Sequence, residues 1–244
     1  MAKKFKDYYD TDCARLLAQK ISIVSANFDA DDFIDYIASN LGERSFSERQ
    51  ELFAEAFSRY LKGSYEEIIE TFFQILGPEL ETAEGMFTFG WWLWPIGKYV
   101  EINGLQNYDL SLQFIYELTK RFTGEFAMRP LIAHAPKKTM EALVEWSTDE
   151  NVHVRRLSSE CMRIRLPWAK KSYAAIEEFD LFKEVLGNLK NDPYKFVQKS
   201  VGNNLNDLMK EKPDLANEII SEWEQDEPGK ATLWIIKHGK RSLK

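Results

Sequence analysis

Apolar residues recur at intervals of three or four along almost the whole chain, and no segment shows the alternation of a half-buried strand. In residues 111–122, for example, Leu112, Ile115 and Leu118 fall on one face of a helix. Glycine (12) and proline (8) are sparse among the 244 residues, which also favours helix. The spacing predicts an all-α fold. Further helices are predicted over residues 138–147, 151–164, 173–189, 195–211, 215–224 and 230–238.

One segment of this helical pattern occurs twice. Residues 146–160, WSTDENVHVRRLSSE, align with residues 189–203, LKNDPYKFVQKSVGN. The matched pairs are Asp149 with Asp192, Val154 with Val197, and Arg156 with Lys199. The offset of 43 residues is typical of HEAT-like helix pairs. We therefore expect stacked HEAT-like repeats that form a curved α-solenoid with a basic concave face.

Charge is distributed unevenly, although the chain as a whole has a net charge of −7. Residues 29–84 contain fourteen acidic and four basic residues, whereas residues 120–171 contain eleven basic and six acidic ones. Residues 230–244 contain five basic residues and no acidic ones. Basic clusters of this kind are typical of a surface that binds phosphate groups. We expect a single domain, 1–244, with acidic helices over about 1–90 and basic repeats over about 91–244.

The densest basic segment, residues 153–171, encloses a single acid, Glu160. On a helix, Arg156, Glu160 and Arg163 follow one another at i, i+4 and i+7 and form a polar stripe beside the apolar one. Glu160 should therefore be partly buried, and the two arginines should keep it ionised. The alternative is a surface ion-pair ladder without catalytic use, worth tenths of a kcal/mol per pair. The same helix directs Arg155 and Arg165 towards solvent or phosphate.

Five further residues carry polar or aromatic side chains of interest. Trp168 follows Pro167 and should lie in a loop, where it either caps the core or stacks on a base or a cation. In the second copy of the repeat, Lys199, Asn203 and Asp207 follow i, i+4, i+8 spacing, and Asn203 takes the place of Glu160. Glu125 follows Thr123-Gly124 at a predicted helix start, where a carboxylate commonly complements the helix dipole.

Several classes of site are excluded by what the chain lacks. The three histidines have neither an HExxH motif nor cysteine companions, so a zinc site is not expected. Cys13 and Cys161 are far apart in sequence and are expected to be reduced and buried, as in a cytoplasmic protein. No apolar segment is long enough to be a signal or a membrane span, so no membrane partner is expected.

A resemblance to the AlkC-type DNA alkylation repair glycosylases, relatives of the AlkD-type HEAT-like enzymes, rests on three segments. They read DLSLQFIYELTKRFTGEFAMRPLI, ENVHVRRLSSECMRIRLPWA and SVGNNLNDLMKEKPDL. A fourth, GMFTFGWWLWPIGKYVEINGL, fits the same pattern, so that the resemblance covers most of the chain from about Gly85 onward. It implies a monofunctional glycosylase that removes cationic bases from double-stranded DNA: 3-methyladenine, with 3-methylcytosine as a second candidate.

The resemblance also assigns roles to residues of this chain. It implies that Glu125 and Glu160 are active-site acids and that Asp207 is a third. It places Arg156, Arg163 and Trp168 at positions that face the DNA and the lesion, while Lys199 and Asn203 rest equally on the internal repeat. Some AlkC-type proteins continue into an immunoglobulin-like C-terminal domain, whereas this chain ends at KHGKRSLK with no strand pattern after its helices. No such domain is expected in this chain, which either is a member that lacks the domain or is truncated before it.

The implied chemistry suits these residue types. A base methylated at N3 is positively charged, so it leaves as a neutral molecule without being protonated, and no metal or other cofactor is expected. A fixed negative charge near the sugar and a positioned water assist the step. The expected partner is DNA that contains alkylated bases, bound by a monomer. Two alternatives are a non-catalytic HEAT-like protein that binds distorted DNA and a protein-interaction solenoid.

Overall fold

The computed structural model describes residues 3–242, and over this range the only regular elements are helices. The all-α prediction is confirmed. Four residues lie outside the described range: Met1, Ala2, Leu243 and Lys244. Lys244 is one of the five bases counted in the C-terminal segment. No helix of the described chain is long and apolar enough to cross a membrane. The chain divides into two compact units, Met1–Pro130 and Leu131–Lys244. The predicted single domain, with acidic helices over about 1–90 and basic repeats over about 91–244, stays a prediction.

Fifteen α-helices lie within residues 3–242. The first eight are α1 (Thr11–Val24), α2 (Ala30–Asn40), α3 (Phe46–Tyr60), α4 (Tyr65–Ile75), α5 (Met86–Phe89), α6 (Trp94–Asn103), α7 (Tyr108–Thr119) and α8 (Glu125–His134). The remaining seven are α9 (Pro136–Trp146), α10 (Val152–Glu160), α11 (Ala174–Glu177), α12 (Phe179–Leu189), α13 (Lys195–Glu211), α14 (Pro213–Gln225) and α15 (Lys230–Gly239).

In the unit Met1–Pro130, successive helices pack against their neighbours around an aromatic core. Helix α1 packs on α2 and α4, and α3 packs on α2 and α6. The rings of Phe57, Phe72 and Tyr99 meet edge to face, with centroids 5.1–6.3 Å apart. Capping boxes at Ser45 and Ser64 satisfy the first backbone N–H groups of α3 and α4, which fixes where these helices begin.

In the unit Leu131–Lys244, helix α13 is the central element and packs on α10, α14 and α15. It buries one continuous apolar face, formed by Val197, Val201, Leu205 and Leu208. Its approach to α15 is close because Gly202 lies at the contact: a Cβ added there would lie 2.8 Å from Cδ2 of His238. The Gly-Asn-Asn run that weakens helix propensity in the middle of α13 is therefore required by packing.

The two copies of the repeat begin in the same way. Asp149 and Asp192 each accept a hydrogen bond from the backbone N–H two residues ahead, at 2.7 and 2.8 Å, and each turn leads into a helix. The helices that follow, α10 and α13, start at residues 152 and 195, so the structural offset equals the sequence offset of 43. Both repeat valines, Val154 and Val197, are fully buried.

Two helix predictions need correction. The helix predicted over 151–164 ends at Glu160, because the backbone N–H of Arg165 donates to Asp207 Oδ2 at 3.2 Å and not to a preceding carbonyl. Arg163 therefore lies in a turn and not on the helical stripe expected for it. The helix predicted over 173–189 is divided into α11 and α12 at Glu178, although the apolar periodicity continues through the break.

Candidate functional site

Two acids from different helices meet at one arginine in the unit Leu131–Lys244. Glu160 is the last residue of α10 and Asp207 lies in the second half of α13. Arg163 donates from Nη1 to Glu160 Oε1 at 2.9 Å and from Nε to Asp207 Oδ2 at 3.0 Å. The exposed fractions of Glu160, Arg163 and Asp207 are only 6%, 7% and 3%. These three residues form the Glu160–Arg163–Asp207 triad.

The packing of α13 against α10 brings the triad together. After α10 ends, the chain turns back, so that Arg163 lies over the carboxylate three residues before it. Asp207 then accepts hydrogen bonds from both the side chain of Arg163 and the backbone N–H of Arg165. A carboxylate bound by several donors has a fixed orientation, and here one of the donors carries a full positive charge.

The charge of Glu160 is held by its neighbours. Burial alone would raise the pKa of this carboxyl group, but Arg156 and Arg163 lower it, with a hydrogen bond from Ser200, and the net result is a pKa below its usual value. The pKa of Arg163 is raised: burial lowers it, and the two acids more than offset this. Glu160 was expected to be partly buried beside Arg156 and Arg163; the structure confirms these neighbours and buries Glu160 almost completely.

A network of buried hydrogen bonds joins α10 and α13 next to Glu160. Ser159 and Ser200 share a hydrogen bond of 2.7 Å between α10 and α13. Asn204 donates to the carbonyl oxygens of Ser159 at 2.8 Å and of Ser200 at 3.1 Å. Sequence reasoning missed Ser200, although its position seven residues before Asp207 places the two on the same face of a helix.

Glu125 belongs to the unit Met1–Pro130, where it is the first residue of α8. Its side chain is 8% exposed and accepts a hydrogen bond at Oε2 from the hydroxyl of Thr123. Thr123 also lines a pocket beside the aromatic rings of Trp94, Phe122 and Phe126. The predicted helix start is confirmed, and the predicted catalytic role of Glu125 stays a prediction.

Trp168 lies in the loop after α10, as predicted, and its side chain is 77% exposed. Its φ is 63°, in the left-handed region that a bulky side chain rarely adopts. Such a conformation costs on the order of 1–3 kcal/mol and persists where the surrounding structure imposes it. The loop thus presents a large aromatic side chain at the surface at the expense of stability.

The other arginines of the basic segment are engaged within the unit. Arg155 was expected to face solvent or phosphate. Instead, it pairs with Asp192 at 2.7 Å and donates to two backbone carbonyls. Arg165 is half-exposed and pairs with Glu211 at 2.7 Å. Arg156 lies 3.6 Å from Glu160 and over the ring of Phe196. The assignment of these arginines to DNA contact stays a prediction.

The repeat position that replaces Glu160 does something different. Asn203 contacts α15, where its Oδ1 lies 3.1 Å from His238 Nε2, and Lys199 is exposed one turn earlier on α13. Within residues 3–242, no group of three or more histidine, cysteine or acidic side chains converges as metal ligands do. The cysteines, Cys13 and Cys161, are both buried and not bonded to each other.

The chain is similar to several known proteins. Residues 120–239 match the family described as DNA alkylation repair enzyme. The chain is 31% identical over 239 residues to the uncharacterized protein YhaZ of Bacillus subtilis (strain 168). It superposes over its full length on the Pseudomonas fluorescens alkylpurine DNA glycosylase AlkC bound to DNA containing an abasic site analog, with a TM-score of 0.86 and 27% identity.

These relatives are longer than this chain. The alignment with YhaZ includes 98% of this chain but only 64% of YhaZ. The superposition on AlkC includes 65% of the AlkC chain. A third comparison, with AlkD2 from Streptococcus mutans, gives a TM-score of 0.55 at 18% identity over 92% of this chain and 98% of that one. The last likeness shows a shared helical fold alone.

Proposed function

Because residues 120–239 match the DNA alkylation repair enzyme family, we propose that this chain is a member of that family and a monofunctional DNA glycosylase. Its substrates are cationic alkylated bases in double-stranded DNA, 3-methyladenine first and 3-methylcytosine second. It hydrolyses the bond between the base and C1′ of the deoxyribose and leaves an abasic site. The proposal is consistent with AlkC, whose solved structure holds DNA with an abasic site analog.

The reaction needs no proton donor for the leaving base, but it is assisted by groups that stabilise positive charge on the sugar. When the C1′–N bond breaks, its electron pair neutralises the positive charge of the methylated base, which leaves without being protonated. Positive charge then develops on C1′ and the ring oxygen of the sugar. A fixed carboxylate stabilises that charge, and a second carboxylate positions the attacking water and takes its proton. We assign these two functions to Glu160 and Asp207, and the catalytic role of Glu125 stays a prediction.

The observation that carries the proposal is the position of Glu160, which is buried between Arg156 at 3.6 Å and Arg163 at 2.9 Å. A buried carboxyl group without cationic partners takes up a proton and loses its charge. Here Arg156 and Arg163 oppose that effect, so that Glu160 stays negative at neutral pH. In a site of low polarity, a fixed charge interacts with a developing cation far more strongly than it does in water.

Recognition of the base is assigned to Trp168. A cationic ring over the face of an indole gains on the order of 1–2 kcal/mol when desolvated, and a neutral base does not. The exposure of Trp168 makes this face accessible. We propose that Arg156 and Arg165 contact the DNA around the lesion. Arg155 and Arg163 act indirectly in this proposal, because Arg155 orients Asp192 and Arg163 orients the acids of the triad. We also propose that the protein acts as a cytoplasmic monomer on chromosomal DNA.

The test is release of free bases from methylated duplex DNA, resolved by chromatography. Wild type should release 3-methyladenine, and Glu160→Gln, which keeps the shape of the side chain, should reduce the rate at least a hundredfold. The matched control is Glu211→Gln, which also loses an acid paired with a cation, at 2.7 Å from Arg165, and should keep the wild-type rate. DNA binding and melting temperature are measured for all three proteins.

Each outcome has a separate meaning. Folded wild type that binds DNA and releases no base would refute the glycosylase and favour the non-catalytic binder of distorted DNA. Wild-type rates in Glu160→Gln would remove Glu160 from the reaction. A large drop in melting temperature for Glu160→Gln, in parallel with its loss of activity, would make the triad a structural ion-pair cluster.

A further inference from the structure

Four cationic or titratable side chains line one side of the contact between α13 and α15. Lys195 and Lys199 project from successive turns of α13, His238 lies on α15, and Arg241 follows that helix. Lys195, Lys199 and Arg241 are exposed, and His238 is partly buried. Asn203, one turn beyond Lys199, contacts both His238 and Arg241. These four residues form the α13–α15 basic cluster.

The geometry of the cluster is fixed by packing. His238 stacks on Trp234 with ring centroids 4.7 Å apart and lies against Gly202, where a Cβ would collide with its ring. Arg241 donates from Nη2 to Asn203 Oδ1 at 3.0 Å. Because arginine only donates, the Asn203 atom that faces both residues is the oxygen, and His238 must donate to it from Nε2. The other ring nitrogen, Nδ1, is then the site at which His238 takes up a proton.

No member of the cluster is paired directly with an acid in the part of the chain that the structure describes. Within the described residues, none of its four members lies within ion-pair distance of a carboxylate, whereas Lys183 in the same unit pairs with both Glu218 and Glu222. The mutual repulsion is visible at His238, whose pKa is lowered by burial and then by Arg241, Lys199, Lys195 and Arg163. Like charges held together without counter-charges are unfavourable unless an anion joins them.

We propose that the α13–α15 basic cluster binds a phosphodiester group of the DNA backbone next to the lesion. The cluster lies within electrostatic reach of the candidate site, because Arg163 and Asp207 of the triad both act on Arg241. A DNA strand bound at the triad therefore supplies the phosphate. This inference rests on the proposed function for its source of phosphate. It joins Arg241, from the basic C-terminal segment, with Lys195 and His238, which the sequence did not single out.

The test is fluorescence anisotropy of the whole chain on a short duplex that contains an abasic-site analogue, at a series of salt concentrations. Lys199→Gln removes an exposed side chain that forms no hydrogen bond or ion pair within residues 3–242, so its main effect should be on DNA binding. Each phosphate contact contributes about 0.9 to the slope of log K against log salt. Lys199→Gln should lower the slope by about that amount and weaken binding about eightfold near 0.1 M salt. Lys183→Gln, the matched control, should change neither quantity.

A second readout concerns the proton of His238. A bound phosphate opposes the repulsion from Lys195, Lys199, Arg241 and Arg163, so binding should take up a proton and tighten as pH falls from 7.5 to 5.5. His238→Asn should show a weaker dependence on pH than wild type. If the chain binds DNA with an unchanged salt slope in Lys199→Gln and an unchanged pH dependence in His238→Asn, the cluster is not a phosphate site. If wild type does not bind DNA at all, the proposed function itself fails.

Discussion

Replacing Arg163 by glutamine removes the cation that bonds both acids of the triad. The shorter, neutral side chain cannot donate to Glu160 and Asp207 at once, and no charge replaces the one removed. Two acids with exposed fractions of 6% and 3% then remain buried at neutral pH without their shared partner. The fold of the unit Leu131–Lys244 should persist, with lower stability.

The size of the loss follows from what remains around each acid. Removing one partner of a buried ion pair costs on the order of 3–5 kcal/mol, because the other charge stays buried. Glu160 keeps Arg156, 3.6 Å away, and Asp207 keeps the backbone N–H of Arg165 at 3.2 Å. We therefore expect a decrease in the free energy of unfolding near the lower limit, about 3 kcal/mol at pH 7.5.

The loss should depend on pH in a defined direction. In wild type the pKa of Glu160 is lowered, so its stabilising contribution is present above its unfolded-state pKa of about 4.3 and is lost as pH falls. In Arg163→Gln burial is less compensated, and the pKa of Glu160 should rise above that value. The variant then regains stability by taking up a proton, so the difference from wild type should shrink from pH 7.5 to pH 5.

The measurement is urea-induced unfolding followed by circular dichroism at pH 7.5 and pH 5. Arg165→Gln is the control, because it removes an exposed pair with Glu211 and should change stability by less than about 0.5 kcal/mol. A loss below about 1 kcal/mol in Arg163→Gln would mean that the triad is solvated in solution. A loss that is as large at pH 5 as at pH 7.5 would contradict the account of its charge.

Two further predictions concern conformation and packing. Trp168→Gly should slow release of 3-methyladenine about tenfold through loss of cation–π attraction. Its melting temperature should not fall, since glycine adopts the φ of 63° without strain; a lower melting temperature would refute the strain at Trp168. Gly202→Ala should destabilise the protein by about 1–3 kcal/mol because the added methyl group meets His238. The control is Gly187→Ala in α12, where a Cβ meets open space, and this change should stabilise the protein by up to about 1 kcal/mol. Equal shifts of melting temperature in Gly202→Ala and Gly187→Ala would refute the close contact at Gly202.

Local pattern was sufficient for much of the fold. The apolar spacing predicted α13 to the residue and α15 to within one residue, because strong periodicity and turn residues coincide at their ends. The repeat offset predicted that α10 and α13 begin with equivalent turns. Glu160 was identified as buried and ionised from its place between two arginines, and this property needs only one segment of chain to be recognised.

The predictions failed where a distant residue competes for a backbone or side-chain group. The end of α10 depends on Asp207, which takes the N–H of Arg165 from more than forty residues away. Arg155 appeared free on its own helix but is held by Asp192, a residue of the second repeat copy. The α13–α15 basic cluster depends on the close approach of two helices at Gly202, and the spacing within either helix does not reveal it.

The composition of the triad itself favours a function over a purely structural role. Burying two carboxylates and a guanidinium incurs a desolvation penalty that their mutual attraction largely offsets but seldom exceeds. Apolar side chains of similar volume commonly give equal or greater stability at such positions. The helices α10 and α13 are already joined by apolar packing and by the bond between Ser159 and Ser200, so the triad is not needed to hold them together. What apolar residues could not supply is a negative charge that stays fixed at neutral pH, and such a charge assists the cleavage of a cationic base from its sugar.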